Sequence, residues 1–129
     1  MKLLASITIG LALSTSMAIA KPQFLSTDNK TNDWSNAYVN GTLPSPYPSA
    51  PHNLNRVPWY QVIIACTGHW DKNKRCSADI KMKTDSNNPV MLGKVTMDLK
   101  TGDITPKELS ANGYTFRVTG VGQTEITQD

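Results

Sequence analysis

The sequence predicts a mainly β protein, a small antiparallel sandwich or open barrel of about five strands with one short helix. Three stretches carry this prediction, because apolar and polar residues alternate along each with the period of two that is typical of half-buried strands. They are residues 76–83, 94–100 and 114–119. Gly93 interrupts the second stretch near its start and indicates a bulge, and residues 124–127 predict a short last strand.

Residues 1–20 have the pattern of a secretory signal peptide. Lys2 precedes an apolar run, and Ala18 and Ala20 are the small residues expected before a cleavage site. The run is shorter than the roughly 20 apolar residues that span a bilayer. No second apolar segment in the sequence approaches that length, so we expect no membrane insertion of the mature chain. The alternative is a buried N-terminal helix. We predict a bacterial protein exported to the periplasm or to the outside of the cell.

Residues 21–58 are rich in Pro, Asn and Ser, and no helical or strand period persists there. Because proline removes backbone donors and favours extended neighbours, we predict a flexible proline-rich arm. Trp34, Tyr38 and Tyr47 are larger than a plain spacer needs. They either pack back on the domain or form a docking segment that becomes ordered on a partner.

Residues 59–129 are predicted to form a disulfide-pinned β domain. Residues 60–66 are apolar at nearly every position, as in a central strand. Cys66 would end this strand and Cys76 would begin the next, with both sulfurs on the buried side of a hairpin. A disulfide there would stabilise the domain by roughly 2–3 kcal/mol. A reactive Cys66 with His69 as its base is the less favoured alternative in an oxidising compartment.

Residues 105–112 predict the short helix. Thr105 is a good N-cap, Pro106 fits the first helical position, and Glu108 can complete a capping box. The pair Asn112-Gly113 supplies a left-handed exit from the helix. Several signals therefore agree on about two helical turns.

The loop of residues 67–75 combines one aromatic residue, one imidazole and three cations between the two cysteines. Trp and Arg are frequent in protein interfaces, and an exposed Trp could also stack on a sugar ring. The alternative is a solvated loop with its Trp folded onto the sheet. The candidate binding residues are His69, Trp70, Lys72, Lys74 and Arg75 in the loop, and Trp34, Tyr38 and Tyr47 in the arm.

Catalysis has little support in the sequence. His52 and His69 are the two histidines, and no set of residues has the spacing of a zinc site. The motifs of common hydrolases and of phosphate-binding loops are absent. The net charge of +3 is too small to argue for a nucleic-acid partner. We expect no enzyme activity, no metal and no cofactor.

These observations predict an exported, non-enzymatic interaction protein that binds a protein or a glycan. It would be an accessory component of a bacterial envelope or secretion assembly, or a secreted factor. The main alternative is an inhibitor of an extracellular hydrolase, because a rigid loop suits that task. A small secreted enzyme is less favoured. The sequence makes no prediction of the partner's identity or of the oligomeric state.

Overall fold

Ten strands and one helix make up the described part of the chain, residues 21–129 of this computed structural model. The predicted signal peptide, residues 1–20, lies outside the described residues. Helix α1 spans Trp59–Cys66 and stands between the fourth and fifth strands. The strands are β1 Phe24–Asn29, β2 Ser35–Val39, β3 Leu43–Pro44, β4 Asn53–Pro58, β5 Arg75–Met82, β6 Val90–Asp98, β7 Ile104–Thr105, β8 Glu108–Ala111, β9 Tyr114–Gly120 and β10 Gln123–Gln128.

The strands form two five-stranded sheets. Sheet 1 has the order β4-β1-β10-β9-β8, and sheet 2 has the order β3-β2-β5-β6-β7. β1 and β10 pair in parallel, and the other pairs are antiparallel. Ile80 and Leu92 of sheet 2 share a core cluster with Phe116 and Ile126 of sheet 1. The predicted fold class, mainly β with one short helix, is confirmed, and of the two predicted forms the structure is the sandwich. The described residues form ten strands instead of about five, because residues 24–58 add four strands and residues 104–111 add two.

The prediction of a flexible arm over residues 21–58 is wrong, because this segment supplies four strands. β1 and β4 pair with each other in sheet 1, while β2 and β3 lie in sheet 2. The proline-rich residues 45–52 form a strap that connects β3 to β4 and so passes from one sheet to the other. Ser35 and Ser49 exchange two backbone hydrogen bonds, at 3.0 and 2.7 Å, that fix the strap to β2. No domain boundary therefore separates residue 58 from residue 59.

Asn29 is the residue that orders this polar segment. Its side chain is fully buried. Its Oδ1 accepts the backbone N–H of Thr31 at 3.1 Å and the Thr31 hydroxyl at 2.7 Å. Its Nδ2 donates to the carbonyl oxygens of Asp33, at 2.8 Å, and Ser49, at 3.2 Å. One amide group thus holds both the β1–β2 turn and the strap, and leaves none of its own polar atoms unpaired.

The predicted strand over residues 60–66 is α1, so this assignment is wrong. A short apolar run fits a buried strand and a helix equally well by periodicity alone. Trp59, Val62 and Cys66 are buried at helical spacing, whereas Tyr60 and Ile64, four residues apart, are exposed. The helix therefore buries one narrow stripe against the sandwich and presents an apolar face to solvent.

The predicted helix over residues 105–112 is also wrong, because this segment belongs to β7 and β8. β8 pairs with β9 across a turn at Asn112 and Gly113. Both turn residues have positive φ, 56° and 85°, as the type I′ turn of a two-residue hairpin requires. The same dipeptide that can end a helix here joins two strands. Leu109 lies opposite Phe116 and packs against the core. A helix of two turns is marginally stable by itself, so the strand that gains these contacts is favoured.

The buried residues fall into two clusters. The first contains Met82, Leu92 and Phe116, and the second gathers Val62, Cys66 and other residues around α1. The pairing of β5 with β6 shifts its register beside Gly93, where the bulge was predicted. A Cβ at this glycine would stand 2.6 Å from Leu109 Cδ1, so any larger residue there would force the Leu109 side chain to move.

Candidate functional site

A disulfide joins Cys66, at the end of α1, to Cys76, near the start of β5. The two Cα atoms are 6.1 Å apart, and both side chains are buried in the second core cluster. The predicted disulfide is present, but it links a helix to a strand, not two strands of a hairpin. It closes the base of residues 67–75, which we call the disulfide loop.

The disulfide loop is further ordered by Asp71. The carboxylate Oδ1 accepts the backbone N–H groups of Asn73, at 2.8 Å, and Arg75, at 2.9 Å. The Asp71 N–H donates to the Arg75 carbonyl at 2.9 Å, and the Lys74 N–H donates to the Asp71 carbonyl at 3.0 Å. These bonds hold the loop in one compact turn, so a partner would meet a preorganised surface.

The pKa of the Asp71 carboxyl lies below its usual value. The main cause is the hydrogen bond from the backbone of Arg75, and the bond from Asn73 and the charges of Arg75 and Lys100 act in the same direction. Hydrogen bonds and nearby cations stabilise the ionised carboxylate. Partial desolvation opposes this shift without reversing it, so the Asp71 carboxylate stays ionised at a lower pH than an ordinary aspartate does.

Trp70 is partly buried and belongs to the interior side of the loop. Its backbone forms a β-bridge with Cys76, and its ring packs against the second core cluster. Lys74 Nζ lies 4.1 Å from the centroid of the ring, at the distance of a cation–π contact. The second core cluster and Lys74 thus cover parts of the Trp70 ring that a sugar would need for stacking.

The other candidate residues of the loop face solvent. Lys72, Lys74 and Arg75 are exposed, and His69 is half-buried. His69 Nδ1 lies 3.2 Å from Asn40 Nδ2, just beyond the end of β2. The described loop therefore presents three cations and one imidazole around a structural carboxylate.

Helix α1 adds an apolar pair to this end of the molecule. Tyr60 is 63% exposed and Ile64 is 65% exposed. The indole Nε1 of Trp59 donates to the Leu99 carbonyl at 3.2 Å, and the Leu99 N–H donates to the Lys74 carbonyl at 2.9 Å. The start of the helix and the end of the loop therefore meet in the interior at Leu99. At the other end of the helix, the Thr67 N–H donates to the Ile64 carbonyl at 3.1 Å, so the loop begins beside Ile64. We define the α1–loop surface as Tyr60, Ile64, His69, Lys72, Lys74 and Arg75.

Sequence reasoning missed Tyr60 and Ile64 because it assigned their segment to a buried strand. Their spacing of four residues, between buried positions at Trp59, Val62 and Cys66, is the signal that a helical interpretation would have used. Once the helix is recognised, this spacing places both side chains on its solvent face.

The three aromatic residues of the predicted arm lie apart from one another. Trp34 sits in the β1–β2 turn, where its carbonyl accepts the Lys83 N–H at 2.8 Å. Tyr38 is on β2 opposite Asp79, with Lys81 Nζ 4.4 Å from its ring centroid. Tyr47 is in the strap and packs against the second core cluster. They do not form one docking segment together with the disulfide loop.

Two further properties concern the described residues alone. Within residues 21–129, no three His, Cys, Asp or Glu side chains stand close enough together to hold a metal ion. No helix in the same range has the length and apolar character that crossing a membrane requires.

The fold and the disulfide define a small disulfide-bonded β sandwich with a basic and apolar surface at one end. The family described as "T2SS substrate NttC" matches residues 1–129, so the chain belongs to this family. A similar solved structure is the crystal structure of the Legionella pneumophila type II secretion system substrate NttC. It shares 53% identity and a TM-score of 0.82, and the match covers 84% of this chain and 99% of that chain. No curated protein matches the chain.

The family membership bears directly on export. Because the family is one of secretion substrates, the chain is an exported protein, and the export predicted from the sequence is confirmed. Export also accounts for the disulfide, since cysteines pair and stay paired in oxidising compartments.

Proposed function

We propose that this exported protein is a non-enzymatic binding protein that holds a partner protein through the α1–loop surface. The observation that supports this most is the combination of two exposed apolar side chains, Tyr60 and Ile64, with a covalently closed loop. Exposed apolar residues beside polar groups are typical of interaction sites. A loop that is already rigid loses little conformational entropy when it binds.

The charge of this surface indicates an acidic partner. Lys72, Lys74 and Arg75 of this surface are exposed, as is the nearby Lys100, and Asp71 is the one carboxylate of the disulfide loop. A positive surface steers association with a negative one and fixes its orientation more than it adds affinity. Binding should therefore weaken as salt concentration rises.

A protein partner fits better than a glycan partner. Stacking of a sugar needs an open aromatic face, and the Trp70 ring is partly covered by Lys74 and by the second core cluster. Tyr60 is exposed, but its neighbour on the same helix face is the aliphatic Ile64. An aliphatic and aromatic pair is the type of contact that protein interfaces bury.

The test compares the proteins captured by the immobilised mature chain, residues 21–129, with those captured by the same chain carrying Ile64→Arg or Arg75→Glu. The matched control is Val121→Arg, because Val121 is 56% exposed at the turn between β9 and β10. Both variants, Ile64→Arg and Arg75→Glu, should fail to retain a specific protein that the unmodified chain and the Val121→Arg control retain. Equal capture by Ile64→Arg and the control would overturn the proposal.

A hydrolase inhibitor is a special case of the same binding mode, and the rigid disulfide loop favours it. The unmodified chain would then slow hydrolysis by a secreted hydrolase, and His69→Ala with Arg75→Ala would abolish the effect while the far-UV circular dichroism stays unchanged. A chain that captures a partner without altering any hydrolase activity is a binding protein of another kind.

We further propose that the type II secretion system carries the chain beyond the periplasm to the outside of the cell, in accordance with its family. In a strain that lacks this system, the protein should accumulate in the periplasmic fraction and vanish from the culture medium. Undiminished release from such a strain would contradict the route. A periplasmic marker enzyme controls for leakage.

A further inference from the structure

An apolar cavity of about 120 Å³ lies between the two sheets of the sandwich. It runs between the two core clusters, since its walls include Ile80, Val95 and Phe116 of the first and Val62 and Cys66 of the second. Close-packed interiors leave few voids larger than a water molecule. A cavity of this size is therefore a feature that calls for an explanation.

Small side chains at inward-facing positions create the cavity. Ala37 on β2 and Ala78 on β5 alternate with outward residues and so point between the sheets, and Ala65 of α1 completes this side. Ala37 and Ala78 are nevertheless partly exposed. An inward-facing alanine can be accessible only if the space above it is large enough to hold water. The cavity is also partly open at its edge.

Uncharged polar groups of the strap and its neighbours line one side of the cavity. Asn36 Nδ2 donates to the Ser45 carbonyl at 2.8 Å, and Asn55 Nδ2 donates to the Tyr47 carbonyl at 3.1 Å. These residues line the cavity, and no charged side chain is found among its lining residues. The wall thus changes from apolar in the interior to polar and neutral at the strap.

We propose that this cavity binds a small amphiphile, with its apolar tail between the sheets and an uncharged polar head at the strap. The volume is close to the roughly 150 Å³ of an engineered apolar cavity that stays dry and binds benzene or xenon. It therefore suits a short alkyl segment, and the amide and hydroxyl groups at the strap suit a hydroxyl or amide head. This site is separate from the α1–loop surface and does not depend on the function proposed for it.

The test uses n-alcohols of increasing length as probes of the mature chain, followed by methyl NMR. The methyl groups of the lining residues Val62, Val95 and Ile104 should shift in a saturable manner. The exposed methyl groups of Leu54, Ile64 and Val121 should not. Affinity should rise by about fourfold for each added methylene group, and level off once the tail fills the cavity. Shifts that grow linearly with probe concentration, or that fall only on exposed methyl groups, would overturn the proposal.

A filling variant provides the second measurement. Ala78→Leu places a larger side chain in the cavity and should weaken alcohol binding at least tenfold, an effect of about 1.4 kcal/mol. The matched control is Ala111→Leu, because Ala111 is a partly exposed strand alanine outside the cavity. If Ala78→Leu folds and binds the probes as the control does, the proposal fails. Should Ala78→Leu not fold, the methyl shifts of the unmodified chain decide alone.

Discussion

The strap and the disulfide loop are two irregular segments that are held in place by opposite means. The strap of residues 45–52 has no charged side chain apart from a histidine, and it is fixed by hydrogen bonds to distant polar residues such as Asn29 and Ser35. The disulfide loop is fixed by one covalent bond and by Asp71 within the loop itself. The strap thus depends on distant parts of the fold, whereas the loop depends mainly on bonds within itself and at its base, with Trp70 and the Leu99 N–H adding contacts to the core.

Because of this difference, the strap contributes to the stability of the fold, whereas the loop presents the binding residues. A buried polar network must be complete, because each unpaired buried group costs free energy. The strap is therefore sensitive to single substitutions far from it in sequence. The loop can tolerate changes to its exposed side chains other than Asp71, since Lys72, Lys74 and Arg75 do not hold its backbone through their side chains. A surface of this kind can vary its binding residues without endangering the fold.

The largest effect is expected from Asn29→Ala. The change leaves the Thr31 N–H without its partner and takes one of two hydrogen bonds from each of the Asp33 and Ser49 carbonyls. It also empties a fully buried site, and an unpaired buried group alone costs about 1–3 kcal/mol. We expect a loss of about 3 kcal/mol or more in the free energy of unfolding, measured in urea. The control Asn88→Ala, at an exposed turn, should cost less than about 0.5 kcal/mol. Equal effects of the two changes would show that the strap is not held as described.

The next largest effect is expected when both cysteines are replaced, Cys66→Ala with Cys76→Ala. Loss of the cross-link frees the unfolded chain and should lower stability by about 2–3 kcal/mol. Hydrogen exchange should accelerate in residues 67–75 more than in the strap. If the amides of residues 45–52 lose as much protection as those of the loop, the two regions are not independent.

A smaller effect is expected at Tyr114, whose hydroxyl donates to Asp33 Oδ2 at 2.5 Å across the sandwich. Burial, aided by this bond, raises the pKa of Tyr114 to about 12. Because the neutral form is favoured in the folded state, its contribution is full below the ordinary pKa of about 10 and is lost as pH rises through about 12. Tyr114→Phe should cost about 1–2 kcal/mol near neutral pH.

This difference between Tyr114→Phe and the unmodified chain should shrink in urea melts at about pH 11. The control is Tyr60→Phe, since the Tyr60 side chain is exposed on α1. If the difference in the free energy of unfolding between Tyr114→Phe and the unmodified chain stays constant with pH, the bond to Asp33 is contradicted.

The smallest effect is expected from Lys74→Gln. Removing the cation above Trp70 should lower stability by about 0.5 kcal/mol, and the indole resonance of Trp70 should move. Lys72→Gln, at an exposed position of the same loop, is the control and should leave that resonance in place. An unmoved Trp70 resonance in Lys74→Gln would argue against the contact.

Alternation of apolar and polar residues predicted β5, much of β6, β9 and β10, because each has one buried and one solvated face. It did not predict α1 or β8. An apolar run of seven or eight residues fits two structures, and the turn at Asn112 and Gly113 serves a helix end or a hairpin. The strands β1 and β2 lacked a clear period because most of their successive residues are half-buried, so no buried face alternates with a solvated one.

The candidate site was predictable only in part. The cysteine pair followed from export and from the even number of cysteines, and the loop between them followed from that pair. Tyr60 and Ile64 were missed together with their helix. The cavity was not predictable, because it depends on Ala37, Ala65 and Ala78 meeting in space, and alanine carries no sequence signal of its own.

The parallel pairing of β1 with β10 sets the order in which this protein can be completed. Ser26 lies opposite Gln123, so a central strand of sheet 1 lacks one neighbour until nearly the whole chain is present. Pairings this distant in sequence form slowly, because a long segment must close first. Sheet 1 therefore cannot be completed before residues 123–128 are available, because its middle strand, β10, is the last strand of the chain.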